Sequence, residues 1–153
     1  MDLGDLISPD AIFPALKAKT KKQALHELAH RAAALTGVVE RTIYDTLLQR
    51  ENLGSTGVGR GIAIPHGRVP ELHKIVSLFA RLSEPIEFDS LDREAVDLIF
   101  LLLAPEHAGA DHLKALARIS RLLREPTTIE RLRASQDRAA IYSVLTASAA
   151  HAL

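Results

Sequence analysis

Leu98-Ile99-Phe100-Leu101-Leu102-Leu103-Ala104 is the longest apolar run in this 153-residue chain. It has the length of a β-strand and falls far short of the ~20 residues needed to span a bilayer. Extended back to Ala95, it predicts a strand over 95–103. Upstream, 75–82 reads as a second strand, and 86–88 as a shorter one forming a hairpin with the 95–103 strand. Residues 62–64 (Ile62-Ala63-Ile64) have the look of a brief buried strand, and 11–16 of an edge strand carrying Pro14. Helices surround these segments. Thr20 is a predicted N-cap, followed at helical spacing by Leu25, Leu28, Ala29, Ala32 and Leu35, with Gly37 as the stop. A second helix is expected over 39–50, with Ile43, Leu47 and Leu48 inward. After Pro105 comes a helix over 111–124, with Leu113, Leu116, Ala117, Ser120 and Leu123 on one side. Two closing helices follow over 128–134 and 138–147, the last capped by Asp137. Helices before, between and after strands predict an α/β fold: a single-domain sandwich over 1–153, its central mixed β-sheet flanked by helices on both faces.

Composition narrows the function. Nineteen basic residues balance nineteen acidic ones, which argues against a nucleic-acid binder because phosphate contacts need a basic excess. There is no cysteine, so disulfides, thiolate zinc sites and cysteine nucleophiles are excluded. The acidic start, Met1-Asp2-Leu3-Gly4-Asp5, lacks the basic and apolar regions of a signal peptide. The expectation is a cytoplasmic protein with no direct membrane insertion. Seven histidines stand out.

His26-Glu27-Leu28-Ala29-His30 matches H-E-x-x-H, the helical pattern of a zinc hydrolase. The extended form is absent, since Ala33 and Thr36 occupy the positions of its glycine and third histidine. The stripe of Leu25, Leu28, Ala29, Ala32 and Leu35 faces the core, which turns Glu27 and His30 towards solvent. A solvated helix face is the reading preferred, with no metal expected and the zinc hydrolase as a remote alternative. Residues 53–61 carry four glycines in eight residues, Gly54, Gly57, Gly59 and Gly61. Neither Gly-Lys-Ser/Thr nor a helix follows, so the segment is neither a Walker loop nor a dinucleotide fingerprint; it reads as a flexible turn or an anion nest. It leads to Pro65-His66-Gly67, where proline restricts the backbone and glycine leaves room for a partner or an oxyanion. Arg50, Ser55, Thr56, Arg60 and Arg68 are all within eighteen residues of His66. That inventory suits a histidine that accepts a phosphoryl group: a neutral imidazole nitrogen is the nucleophile, and guanidinium and amide donors offset the charge of the equatorial oxygens.

Glu51, six residues, Val58-Gly59, two residues, then Ile62-Ala63-Ile64-Pro65-His66-Gly67 resembles the phosphohistidine signature of IIA proteins of the fructose, mannitol and nitrogen-related type of the bacterial phosphotransferase system. A chance match at a given site is rarer than about one in ten million. Residues 49–57 fit the family's helix-to-loop approach, 97–105 its central strand, and Asp111-His112-Leu113 the position of a second histidine, so the likeness covers residues 6–145. The resemblance implies that His66 takes a phosphoryl group on Nε2 from a histidine-phosphorylated carrier protein. It implies that His112 hydrogen-bonds the active histidine or its phosphoryl group, that Arg50 supplies positive charge, and that Ser55 and Thr56 are phosphoryl-binding loop donors. No cofactor is implied. A free-standing chain of this size, with Phe88-Asp89-Ser90-Leu91-Asp92 before its central strand, resembles the nitrogen-regulatory group, whose partners are regulatory target proteins. The alternative is a soluble sugar-specific IIA passing phosphate to a IIB domain.

Overall fold

The structure, a computed structural model, describes residues 3–151. Met1 and Asp2 of the acidic start lie outside the described residues. The described chain begins with a short helix, α1 (Leu3–Leu6), and a 3-10 turn (Pro9–Ala11). Six strands follow: β1 (Ile12–Leu16), β2 (Gly57–Gly59), β3 (Ile62–Ala63), β4 (His66–Arg68), β5 (Val76–Ile86) and β6 (Val96–Ala104). Five further helices are α2 (Lys21–Thr36), α3 (Glu40–Asn52), α4 (Ala110–Leu122), α5 (Pro126–Ala134) and α6 (Arg138–His151).

The strands form one mixed sheet of order β1-β5-β6-β3-β2, with β4 also paired to β6. β6 is its axis. Every residue from Leu98 to Ala104 is fully buried. Because successive side chains point to opposite faces, such a run requires cover on both sides of the sheet. Two packed sets of helices supply it: α2 with α3, against β5 and β4, and α4 with α6, against β6 and β1. β5 runs antiparallel to β6, whereas β3 and β4 both run parallel to it, β3 beside Leu98 and Ile99 and β4 beside Leu102 to Ala104. β1 is the expected edge strand, paired with β5. The helix ends follow from local chemistry. The Thr20 hydroxyl accepts from the Gln23 N–H at 3.1 Å, Gly37 adopts φ 78° at the C-cap, and the Asp137 carboxylate accepts from the Ala140 N–H at 2.8 Å.

Several details differ from the sequence reading. β5 is one strand through Pro85, with its register against β6 shifting between Arg81 and Ile86; the irregularity is where a residue without an N–H fits. Ile86 does pair with Val96, but Phe88 is buried outside any strand. Part of the glycine loop is a strand, β2, which the antiparallel pairing with β3 imposes on a valine between two strand-disfavouring glycines. Leu35 is 42% exposed, so the buried stripe of α2 ends at Ala32. Finally, the buried face of α4 is His112, Ala115, Ile119 and Leu122, while Leu113 is 64% exposed. A histidine occupies the place where an apolar residue was expected, and the reason lies in the site.

Candidate functional site

His66 opens β4, half-buried, against Leu102 of the sheet axis. Its ring is held at both nitrogens. Nδ1 lies 2.9 Å from the Ile64 carbonyl oxygen, and Nε2 lies 3.3 Å from Nε of Arg50. A carbonyl only accepts and a guanidinium only donates, so the hydrogen sits on Nδ1 and the lone pair on Nε2. The backbone carbonyl therefore selects the tautomer whose free nucleophilic nitrogen is Nε2, facing a permanent cation. Arg50, in the last turn of α3, also donates through Nη1 to the Gly54 carbonyl at 2.9 Å.

His112 comes from the first turn of α4, with its ring centroid 5.8 Å from that of His66 and tilted by 58°. The two rings share no hydrogen bond among the described residues, and Nδ1 of His112 is buried without a partner there. Burial holds the His112 pKa below its ordinary value of 6.5, and the neighbouring His66 and Arg68 push it in the same direction. A histidine with a depressed folded-state pKa takes up its proton more readily when unfolded. Its contribution to stability is complete above pH 6.5 and is lost as the pH falls below that value towards the folded pKa. The wild-type melting temperature is therefore expected to fall more steeply between about pH 7 and pH 5 than that of His112→Gln. Parallel melting curves for the two proteins would show that His112 is not held neutral.

The other expected site residues are arranged less simply. Ser55 donates its hydroxyl to the Phe88 carbonyl at 2.7 Å and accepts from the Gly57 N–H at 3.0 Å. The buried Thr56 hydroxyl donates to the Glu51 carboxylate, which also accepts from the Thr56 N–H. Both hydroxyl hydrogens are thus committed to folding the loop. Arg68 is exposed and donates to the Glu106 carbonyl at 3.2 Å. Arg60 donates to the Arg124 carbonyl at 3.2 Å, and no hydrogen bond joins it to His66 among the described residues. The glycine after the histidine does not leave open space, as the sequence suggested. A Cβ on Gly67 would lie 2.6 Å from Cγ2 of Thr46, so this glycine lets β4 pack closely against α3.

Neither Glu51 nor Lys21 has an assigned role in the sequence pattern. Glu51 opens the motif and was a visible signal; Lys21, thirty positions upstream, carried none. Their side chains meet at 2.8 Å beneath the loop. The H-E-x-x-H segment, by contrast, is a helix surface. His26 and His30 both approach Glu40, at 3.6 and 2.7 Å, and Glu27 pairs with Arg31. No group of three metal-ligating side chains is suitably arranged among the described residues, so the zinc-hydrolase alternative is without support in the geometry.

A profile of the family described as "Phosphoenolpyruvate-dependent sugar phosphotransferase system, EIIA 2" matches residues 5–148. The chain belongs to this EIIA family. Within it, the chain is 63% identical over 145 residues to the nitrogen regulatory protein of Bradyrhizobium diazoefficiens, with 95% of each chain covered. Among solved EIIA structures, the nitrogen regulatory protein IIA-Ntr from Neisseria meningitidis superposes with a TM-score of 0.89 at 30% identity, covering 94% of this chain and 99% of that one. The mannitol IIA of Escherichia coli, at 23% identity and a TM-score of 0.77 over 91% of this chain and 98% of its own, shares the EIIA fold.

Proposed function

We propose that the chain is a phosphoryl carrier that accepts a phosphoryl group on Nε2 of His66 and works as a regulator of the nitrogen branch of the phosphotransferase system. The observation that carries the chemistry is the fixed tautomer, with Nδ1–H on the Ile64 carbonyl and the Nε2 lone pair against Arg50. Transfer from a phosphohistidine donor forms a P–N bond to Nε2 with that lone pair, and the donor's P–N bond breaks with its electrons returning to the donor imidazole. Arg50 must yield Nε2 as the bond forms, and its guanidinium then meets the phosphoryl oxygens. The Nδ1–H bond to Ile64 offsets positive charge spreading over the ring. His112, buried and held neutral, supplies an imidazole beside the phosphoryl group without adding a second cation. Ser55 and Thr56 serve through the shape of the loop they pin.

The branch rests on the relative named a nitrogen regulatory protein, alike over 95% of both chains. In this reading the whole chain, 1–153, is one IIA-type domain in the cytoplasm. Its upstream partner is a histidine-phosphorylated carrier, and its downstream partners are regulatory targets whose contacts change when a doubly charged group appears at His66. No described helix is long and apolar enough to cross a membrane.

Intact mass spectrometry after incubation with phosphoenolpyruvate and the two upstream phosphotransferase proteins tests the carrier step. One acid-labile phosphoryl group is expected on the wild-type chain. None, with the upstream proteins shown to be active, would end the carrier reading. Adding fructose- and mannitol-type IIB domains tests the branch: phosphate that stays on the chain supports regulation, and rapid draining would favour the sugar-transport alternative.

A further inference from the structure

A carboxylate directly follows Arg50 of the candidate phosphoryl site in the chain, and its charge is of the wrong sign for the incoming group. The Glu51 side chain is only 2% exposed. A buried carboxylate is tolerated when its oxygens are fully occupied by donors. Those donors are the Thr56 N–H at 3.2 Å, the Thr56 hydroxyl and the Lys21 ammonium at 2.8 Å. Lys21, the first residue of α2, is itself fixed: its Nζ lies 5.0 Å from the Phe88 ring centroid and 3.6 Å from the Asp89 carboxylate. Phe88 in turn receives the Ser55 hydroxyl on its carbonyl. The loop after α3 is thus tied at Thr56 to Glu51 and at Ser55 to the Phe88 carbonyl. In that loop the Gly54 carbonyl accepts from Arg50 Nη1, while the Gly54 N–H returns to the Glu51 carbonyl. Nε of the same guanidinium then meets Nε2 of His66.

We infer that Glu51, held by Lys21, is a positioning residue that acts through Arg50: it sets the loop whose Gly54 carbonyl orients the guanidinium against the acceptor nitrogen. This rests on the reading of His66 as acceptor. Lys21 also cancels the charge that Glu51 would otherwise present to the phosphoryl group, which explains why a carboxylate is found one residue from the phosphoryl-facing arginine.

The test is a cycle of single and double variants read out as the rate of phosphoryl gain from the upstream carrier, with melting temperatures measured in parallel. Glu51→Gln keeps an acceptor for the Thr56 N–H but removes the ion pair. It is expected to take up one phosphoryl group on His66 about 10- to 100-fold more slowly than the wild type. In an Arg50→Ala background, Glu51→Gln should slow the reaction by less than twofold further, although it lowers the melting temperature by as much as in the wild-type background. A merely structural role would instead give additive losses of rate, and additivity would overturn the inference. So would a Glu51→Gln rate equal to that of the wild type, an outcome that leaves the acceptor reading intact. Failure of the wild-type chain to accept phosphate would remove the acceptor reading itself. Should Glu51→Gln not fold, Lys21→Met, which keeps an apolar stem over Phe88, takes its place in the same cycle with the same two criteria.

Discussion

His66→Gln is expected to abolish phosphoryl uptake completely while shifting stability by only about 1 kcal/mol. The two effects separate because the imidazole is only half-buried and makes two hydrogen bonds, to the Ile64 carbonyl and from Arg50, both of which a side-chain amide can also form. Glutamine fills much of the same volume and can donate to a carbonyl, but it has no nucleophilic nitrogen. Mass spectrometry should find no phosphoryl group on the variant, and calorimetry should find a melting transition near that of the wild type. A phosphorylated variant would move the acceptor elsewhere, with His112 the first place to look. A variant that does not fold would make His66 a structural residue.

Gly67→Ala should be costly for a different reason. Its new Cβ would sit 2.6 Å from Thr46 Cγ2, whereas ordinary contacts begin near 3.4 Å; because the Thr46 hydroxyl is held by the Thr42 carbonyl, β4 and α3 are expected to part by roughly 1 Å. That separation acts on both stability and transfer, since β4 carries His66 and α3 carries Arg50. Overpacking of this kind costs about 1–3 kcal/mol, and a misplacement of about 1 Å at reacting groups lowers rates by on the order of 100-fold. Thr46→Ser removes only the offending methyl and keeps the hydroxyl that donates to the Thr42 carbonyl at 2.8 Å. The double variant Gly67→Ala/Thr46→Ser should therefore recover most of both losses. If it recovered neither, the close approach of β4 to α3 would not be what the glycine provides.

These two residues also mark what could be read without coordinates. The spacing from Glu51 to Gly67 is local, and it led directly to His66; Arg50 was legible for the same reason, as a cation beside the motif. The sheet axis was equally plain, because an apolar run of a strand's length between helices has few other uses. What escaped was closed over long distances. The Ser55 hydroxyl is spent on a carbonyl thirty-three positions away, and the Thr56 hydroxyl on a carboxylate whose own partner is Lys21. Hydroxyls near a candidate phosphate site look available until their partners are known. Apolar periodicity places His112 off the buried face of its helix because it treats a histidine as a solvent-facing residue, and here the residue turns inward beside His66. Gly67 was assigned space that Thr46 occupies, a contact between a helix and a strand that no local pattern encodes.

The pairing of both β3 and β4 with the sheet axis has a consequence for how the carrier can be controlled. The Leu102 N–H donates to the Pro65 carbonyl at 2.9 Å, so the chain is fastened to the most protected strand immediately before His66. Amides on such a strand exchange with deuterium only when the whole domain opens. In the proposed reading, the acceptor nitrogen therefore belongs to the global folding unit and not to a segment that can melt by itself. In that reading local unfolding offers no way to switch it off, and access to His66 would be governed from outside, by a protein docked over the site.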